Sequence, residues 1–230
     1  MRKLLLLLPF LLAACDTREI AVDPARAGYD YFPLRAGQSA VYAVESIQYR
    51  TGRPADTARY EVREVVQAPV TDLAGEEAFV IHRYYRPAGR TAWKAEPDSV
   101  WTAKRTAQLA TRTENNVTFV KLSFPLRKDL AWNGNTFNDR GDDGYKVTGW
   151  NQPYEAGAAV YENTLTVEQS NEADECVKKN MQYEVYARGV GLVRKEVTEV
   201  YYVQPNDACD FTQTISYGRR ISQRLVDFTE

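Results

Sequence analysis

The chain has 230 residues, of which 44% are apolar and 26% are charged. This is the composition of an ordinary globular protein and excludes a disordered chain. The formal net charge is −2, and acidic and basic residues are mixed along the chain. Such a balance excludes the basic surface with which proteins bind nucleic acid, so no nucleic-acid partner is predicted.

Residues 1–14 have the parts of a bacterial signal peptide. An Arg-Lys pair at 2–3 gives a positive start, residues 4–12 form an apolar run, and two alanines at 13–14 precede the cleavage site. The run is too short for a transmembrane helix, which needs about 20 apolar residues. We therefore predict that residues 1–14 are a signal peptide.

The segment Leu12-Ala13-Ala14-Cys15 resembles the lipobox of bacterial lipoproteins. The resemblance implies cleavage before Cys15, diacylation of its sulfur and acylation of its new amine. Two or three acyl chains anchor a protein stably where one chain is marginal. We predict lipid attachment at Cys15, which places the protein on the outer membrane or on the periplasmic face of the inner membrane. An ordinary secretory signal with a chance cysteine is the alternative.

Residues 15–30 are polar and contain Pro24 and Gly28, which is typical of a lipidated N-terminus followed by a tether. Residues 31–230 are predicted to form a single β-rich domain, because β-sandwiches and barrels of this length often fold as one unit.

Hydrophobicity along the mature chain alternates with a period of two, as in Tyr60, Val62, Glu64 and Val66, which is typical of half-buried strands. Strands are predicted at 39–50, 58–67, 77–86, 98–105, 107–113, 117–123, 157–169, 181–188, 192–203 and 212–228. Gly, Pro and Asn turn signals separate them. The prediction is a mainly β fold: a single antiparallel meander forming a strongly curved sheet, half-barrel or sandwich, with little helix. A turn or two of helix is predicted within 170–180.

Lipidation of Cys15 leaves Cys176 and Cys209 as a pair, which an oxidising compartment would let join. A hairpin at 189–191 (Gly-Val-Gly) brings residues near 176 opposite residues near 204. We predict a Cys176–Cys209 disulfide, with two separate buried thiols as the alternative. A redox or metal pair is disfavoured, because there is no C-x-x-C motif.

The stretch 125–155 is rich in Asn, Asp and Gly and is predicted to be a long loop. Long loops are often functional, so Trp132 and Trp150 are candidates for a ligand or partner loop. The acidic turn at 139–144 resembles a calcium loop, but an EF-type match fails, with Gly141 at position 3 and Trp150 at position 12. A calcium site of another type and a plain Asp/Gly-rich turn both stay open.

No catalytic, cofactor-binding or metal-binding residue is predicted. His82 is the single histidine of the chain, which leaves no His-based triad or multi-His zinc site. Nucleotide, dinucleotide and serine-hydrolase motifs do not occur in the sequence. A carboxylate pair for glycoside hydrolysis stays open, because 31 acidic residues offer many pairs.

The segment 31–38, YFPLRAGQ, resembles a recurring opening, YFPLxxG, in uncharacterised lipoproteins of Gram-negative bacteria. Segments 120–126 with 132–135, and 187–193 with its GVGLV sequence, fit the same pattern. The resemblance implies an antiparallel β domain with no assigned catalytic residues. The open half-barrels of periplasmic lipid and lipoprotein carriers offer a more distant, fold-level analogy.

Together these features predict a membrane-anchored, non-catalytic binding or accessory protein of the cell envelope. Its partner is expected to be an amphiphilic ligand or an envelope protein. An envelope hydrolase using paired carboxylates and a structural component of a surface complex are the alternatives. A deep apolar groove favours the first function, two facing acids in a polar cleft the second, and a closed, packed barrel the third.

Overall fold

The computed structural model describes residues 23–204, 208–209 and 211–230, so the predicted signal peptide and Cys15 lie outside the described residues. The described chain forms one antiparallel sheet of twelve strands. The strands are β1 (Ser39–Tyr49), β2 (Asp56–Thr71), β3 (Glu77–Pro87), β4 (Ser99–Arg105), β5 (Leu109–Glu114), β6 (Val117–Ser123), β7 (Ala131–Asn133), β8 (Gly144–Ala156), β9 (Ala159–Asp174), β10 (Lys178–Ala187), β11 (Gly191–Tyr202) and β12 (Ile215–Thr229). Helix is limited in this part of the chain to α1 (Pro24–Ala27) and a 3₁₀ turn (Tyr29–Tyr31).

The strand order is β6-β5-β4-β3-β2-β1-β12-β11-β10-β9-β8-β7. Each strand pairs with its neighbour in sequence, except at the break between β6 and β7, and β1 also pairs with β12. The sheet curls until its two ends nearly meet, which makes it a nearly closed barrel. The predicted mainly β antiparallel meander is therefore confirmed.

Three hydrogen bonds cross the seam between the two ends of the sheet. The Val120 N–H donates to the Gly134 carbonyl at 2.8 Å, and the Trp132 indole N–H donates to the Val120 carbonyl at 2.9 Å. The amide of Asn138 donates to the Thr118 carbonyl at 2.8 Å. These bonds satisfy edge groups of β6 that an open sheet would leave unpaired.

Two apolar clusters fill the fold. The first takes residues from the N-terminal segment, from β3–β6 and from β8–β10: Tyr31, Phe32, Ile81, Ala103, Ala110, Leu122, Phe124, Leu126, Tyr145, Val147, Leu165, Val167 and Tyr186. The second takes residues from β1, β2 and β10–β12: Ala40, Tyr42, Val44, Val62, Val185, Ala187, Val193 and Leu225. Because strands from both ends of the sheet share the first cluster, burial of apolar surface drives the sheet to roll up.

The predicted loop 125–155 is wrong over much of its length, because it contains β7 and β8. Strand β8 buries Tyr145 and Val147, but its pairing with β9 shifts register three times before Ala156. Each shift breaks the two-residue alternation on which the prediction of strands depends.

The predicted helical turns at 170–180 are wrong too. Strand β9 continues to Asp174 and β10 begins at Lys178, with a short turn between them. The polar residues of this stretch pair along a solvent-exposed end of the hairpin, so they carry no apolar alternation that would identify a strand.

Residues 23–31, most of which fall within the predicted tether, pack against the barrel. Ala27 and Tyr31 are buried, and the Leu126 N–H donates to the Ala27 carbonyl at 2.9 Å. Gly28 has a φ of +83°, and a side chain there would collide with Leu126. The N-terminal segment therefore packs closely against Leu126 where the chain enters the barrel.

The predicted disulfide between Cys176 and Cys209 is confirmed. Lys178 pairs with Tyr201 in the β10–β11 hairpin, and the Tyr202 N–H donates to the Val177 carbonyl at 2.9 Å. The bond therefore closes the open end of this hairpin and ties it to the segment that leads into β12.

Removing the disulfide with the double change Cys176→Ala/Cys209→Ala should lower the free energy of unfolding by about 3–4 kcal/mol, because the bond closes a loop across 33 positions. Urea unfolding followed by circular dichroism measures this change. As a control, a reducing agent should destabilise the wild type and leave the double variant unaffected. If the double variant were as stable as the oxidised wild type, the prediction would be contradicted.

The change Gly134→Ala should destabilise the seam, because a Cβ at Gly134 would overlap the ring of Tyr145 and push the chain away from Val120. We expect a loss of about 1–3 kcal/mol, as for other overpacked sites. The matched control is Gly144→Ala, where an added Cβ meets nothing within 4 Å. If both variants unfold at the same urea concentration as the wild type, the seam does not depend on this contact.

Candidate functional site

Charged side chains from six strands converge inside the barrel. Strand alternation explains why they point inward: Glu64, for example, shares its face of β2 with the buried Val62 and Val66. The interior set comprises Glu64, Arg83, Arg112, Glu114, Lys121, Glu184 and Lys195. We call these residues the interior network.

One half of the network is centred on Glu64. Its Oε1 lies 2.9 Å from Arg83 Nε and 2.5 Å from Arg112 Nη2. Burial raises the pKa of Glu64, but the positive charges of Arg112 and Arg83 outweigh burial and hold the pKa below its ordinary value. The Arg83 guanidinium stacks 3.4 Å from the centroid of the Trp101 ring, which supports this half through a cation–π contact.

The other half is centred on Glu184, whose side chain is only 1% exposed. Its Oε1 accepts a hydrogen bond from Lys121 Nζ at 2.7 Å and lies 3.1 Å from Lys195 Nζ, while its Oε2 accepts from the Tyr186 hydroxyl at 2.6 Å. Burial opposes ionisation, but Lys121 and Lys195 lower the pKa of Glu184 to about 2. The same burial and the Glu184 charge raise the pKa of Tyr186 well above 10.

Glu114 joins the two halves. Its Oε1 lies 3.4 Å from Lys121 Nζ and 3.9 Å from Arg112 Nε, and its Oε2 lies 4.0 Å from Lys195 Nζ. Burial raises its pKa, but the charge of Lys121 leads the surrounding cations in pulling the pKa far below its usual range. The network is therefore continuous from β3 to β11.

A cavity of about 80 Å³ lies against the network. Its apolar wall includes Leu34, Ile81 and Leu192, and its polar wall includes Arg112 and Lys195. Gln38 also lines it: this side chain is 7% exposed, and its Oε1 has no hydrogen-bond partner among the described residues.

The charges of the network limit the chemistry that it can perform. A general acid working near neutral pH needs a carboxyl group with a raised pKa. The pKa values of Glu64, Glu114 and Glu184 are all lowered, so each is an anion at neutral pH. In the described part of the chain, no group of three or more His, Cys, Asp or Glu is placed to hold a metal ion. The arrangement is suited to binding an ion or a polar group.

The two tryptophans predicted to form a ligand loop pack against the first apolar cluster. Trp132 lies in β7, and its ring meets Tyr145 edge-on at 6.1 Å between centroids. Trp150 lies in β8, with its ring centroid 6.2 Å from that of Tyr31. Both rings are therefore part of the apolar packing of the barrel, and their role in binding stays a prediction.

Asparagine side chains organise the acidic turn at 139–144. Asn133 Oδ1 accepts from the backbone N–H of Asn135 at 2.9 Å and of Asp143 at 3.0 Å. The Asn133 amide donates to the Asp142 carboxylate at 2.7 Å, and the Asn135 amide donates to the Gly141 carbonyl at 2.9 Å. These bonds account for the Asn, Asp and Gly content of the segment as turn chemistry, while calcium binding there is untested.

His82 lies in β3 on the face opposite to its neighbours Ile81 and Arg83, away from the interior network. The network itself is not among the sites predicted from the sequence. The available signal was a charge in phase with buried apolar residues, as at Glu64 in β2. Such a position places a charge in the core, where it needs a partner.

The fold and the site define a nearly closed antiparallel β-barrel with a charged interior. No protein-family model matches the chain, and no curated protein matches it either. None of the helices in the described part of the chain is long and apolar enough to cross a membrane.

Two solved structures match most of the chain, both with TM-scores below 0.5. One is provisionally described as an exported protein with a YmcC-like fold from Bacteroides fragilis, with 10% identity, a TM-score of 0.48, and coverage of 86% of this chain and 98% of that chain. The other is provisionally described as a lipoprotein from Parabacteroides distasonis, with 11% identity, a TM-score of 0.34, and the same coverage of 86% and 98%. Both descriptions name exported or lipid-bearing proteins, and neither names a ligand.

The change Glu184→Gln should cost on the order of 3 kcal/mol at pH 7, because it leaves Lys121 and Lys195 without their shared anion. The pKa of Glu184 lies below its ordinary value of 4.5, at about 2, so its contribution to stability is complete above pH 4.5 and is lost as the pH falls toward 2. Urea unfolding at several pH values should show that this variant loses less stability than the wild type as the pH falls.

The control is Glu162→Gln, at an exposed position on β9, which should keep both the wild-type stability and the wild-type pH profile. An acid profile of Glu184→Gln identical to that of the wild type would show that Glu184 is not held ionised by the network.

Proposed function

We propose that this protein is a lipid-anchored, non-catalytic binding or accessory protein of the bacterial cell envelope. The observation that carries the proposal is the use of its three cysteines. Cys15 ends a segment that resembles a lipobox, directly after an apolar run, and Cys176 and Cys209 form a disulfide. A structural disulfide is typical of exported proteins, so the paired cysteines support the same destination as the signal peptide.

The interior network supports binding over hydrolysis. A glycosidase needs one carboxylic acid to donate a proton and a second carboxylate to act as base or nucleophile. Each interior carboxylate is instead surrounded by cations that keep it ionised, as Lys121 and Lys195 do for Glu184. No feature of the described site favours the hydrolase alternative.

The size of the cavity limits what the barrel can hold. Pockets for drug-sized ligands are roughly 300–1,000 Å³, whereas the cavity beside the network is about 80 Å³. A whole lipid does not fit inside. The proposal therefore favours a small polar ligand inside the barrel, or an envelope partner on its outer surface, over the carriage of a lipid within it.

The anchoring claim is tested by growing cells that express the full chain with radiolabelled palmitate. The wild type should be labelled, and its intact mass should correspond to a chain that begins at Cys15 and carries acyl groups. Cys15→Ala should carry no label, because it lacks the sulfur that receives the lipid. The double variant Cys176→Ala/Cys209→Ala is the matched control and should be labelled like the wild type. Label on Cys15→Ala, or an unlabelled wild type, would refute the anchor.

A further inference from the structure

The interior network contains one more cation than it has anions. Four positive side chains, Arg83, Arg112, Lys121 and Lys195, meet three carboxylates, Glu64, Glu114 and Glu184. An unpaired charge inside a protein is costly unless it has a counter-ion or solvent. The surplus positive charge of the network would therefore stabilise an anion bound beside it.

Two polar atoms beside the cavity have spare hydrogen-bonding capacity. Arg112 Nε has no hydrogen-bond partner among the described residues and lies 3.9 Å from Glu114 Oε1. Gln38 Oε1 is likewise without a donor in the described part of the chain, although the side chain is more than nine-tenths buried. Buried polar groups are nearly always satisfied, so these two atoms are available to hydrogen-bond a ligand.

The cavity has an accessible, partly apolar side. Leu34 and Leu192 are only partly buried, and the Lys195 side chain is 23% exposed, which is more than any other member of the network. Val66 and Ile81 form an apolar wall deeper inside. A ligand entering past Lys195 would therefore meet positive charge on one side and hydrocarbon on the other.

We propose that this cavity binds a small hydroxycarboxylate. The carboxylate would accept hydrogen bonds from Arg112 Nε and Lys195 Nζ, and the hydroxyl would donate to Gln38 Oε1. A short alkyl group would lie against Ile81 and Val66. This proposal deepens the proposed binding function by naming a ligand class for it.

The volume agrees with that class. Roughly 10–15 Å³ is needed for each water-sized occupant, so a cavity of about 80 Å³ admits about six non-hydrogen atoms. Lactate has a carboxylate, a hydroxyl and one methyl group within that size. It is therefore the probe we choose.

The test is a titration of the full lipidated protein in detergent micelles, followed by NMR of its isoleucine δ1-methyl groups. Ile81 lines the cavity, whereas Ile47, Ile215 and Ile221 do not and serve as internal references. Lactate should shift the Ile81 signal saturably. Propanoate, which lacks the hydroxyl, and lactamide, which lacks the charge, should each bind roughly tenfold more weakly.

Two variants separate a ligand site from a structural network. Gln38→Leu should reduce lactate binding to the level of propanoate and leave propanoate binding unchanged, because it removes the acceptor for the hydroxyl alone. Lys195→Met should weaken both acids roughly tenfold, and the exposed control Lys128→Met should weaken neither.

An Ile81 signal that does not move with lactate would overturn the proposal, and so would equal binding of lactate and lactamide. The wild-type comparison requires no variant to fold. The outcome is also independent of the anchor, because the cavity belongs to the barrel. Loss of palmitate labelling would refute the anchored function and leave this site standing, and absence of lactate binding would do the reverse.

Discussion

The rest of the structure depends on the placement of one buried carboxylate, that of Glu184, among its donors. An anion that is 1% exposed would be strongly destabilising alone. Its partners Lys121 and Lys195 come from β6 and β11, and β6 lies at the far end of the sheet from the β7–β10 hairpins. The contact between Lys121 and Glu184 therefore exists only when the sheet is rolled into a barrel.

The two apolar clusters and the interior network contribute differently to this fold. Burial of apolar side chains such as Leu122 and Leu165 supplies the non-directional driving force for closure. The network adds specificity, because a slip of one residue would turn a strand's charges outward and its polar face inward. The same arrangement leaves a surplus positive charge beside a cavity, together with a Gln38 Oε1 that has no donor among the described residues. The constraint that shapes the fold therefore also creates its candidate site.

Much of the fold follows from the sequence because most strands alternate cleanly and are separated by Gly and Asn turns. The pairing of Cys176 with Cys209 was predictable for a related reason: one hairpin turn sets the register of both flanks. Strand β8 was not predictable, because its repeated register shifts erase the alternation. The network was missed because its pairs, such as Lys121 with Glu184, are 63 positions apart, and only the closed sheet brings them together.

Lys121 and Glu184 should stabilise each other across the closed barrel, and a double-mutant cycle measures this interaction. Unfolding free energies of the wild type, Lys121→Met, Glu184→Gln and the double variant give the coupling between the two side chains. We expect a coupling of about 2 kcal/mol or more, as measured for other close, desolvated charge pairs. A coupling near zero, with the two single losses simply additive, would contradict it.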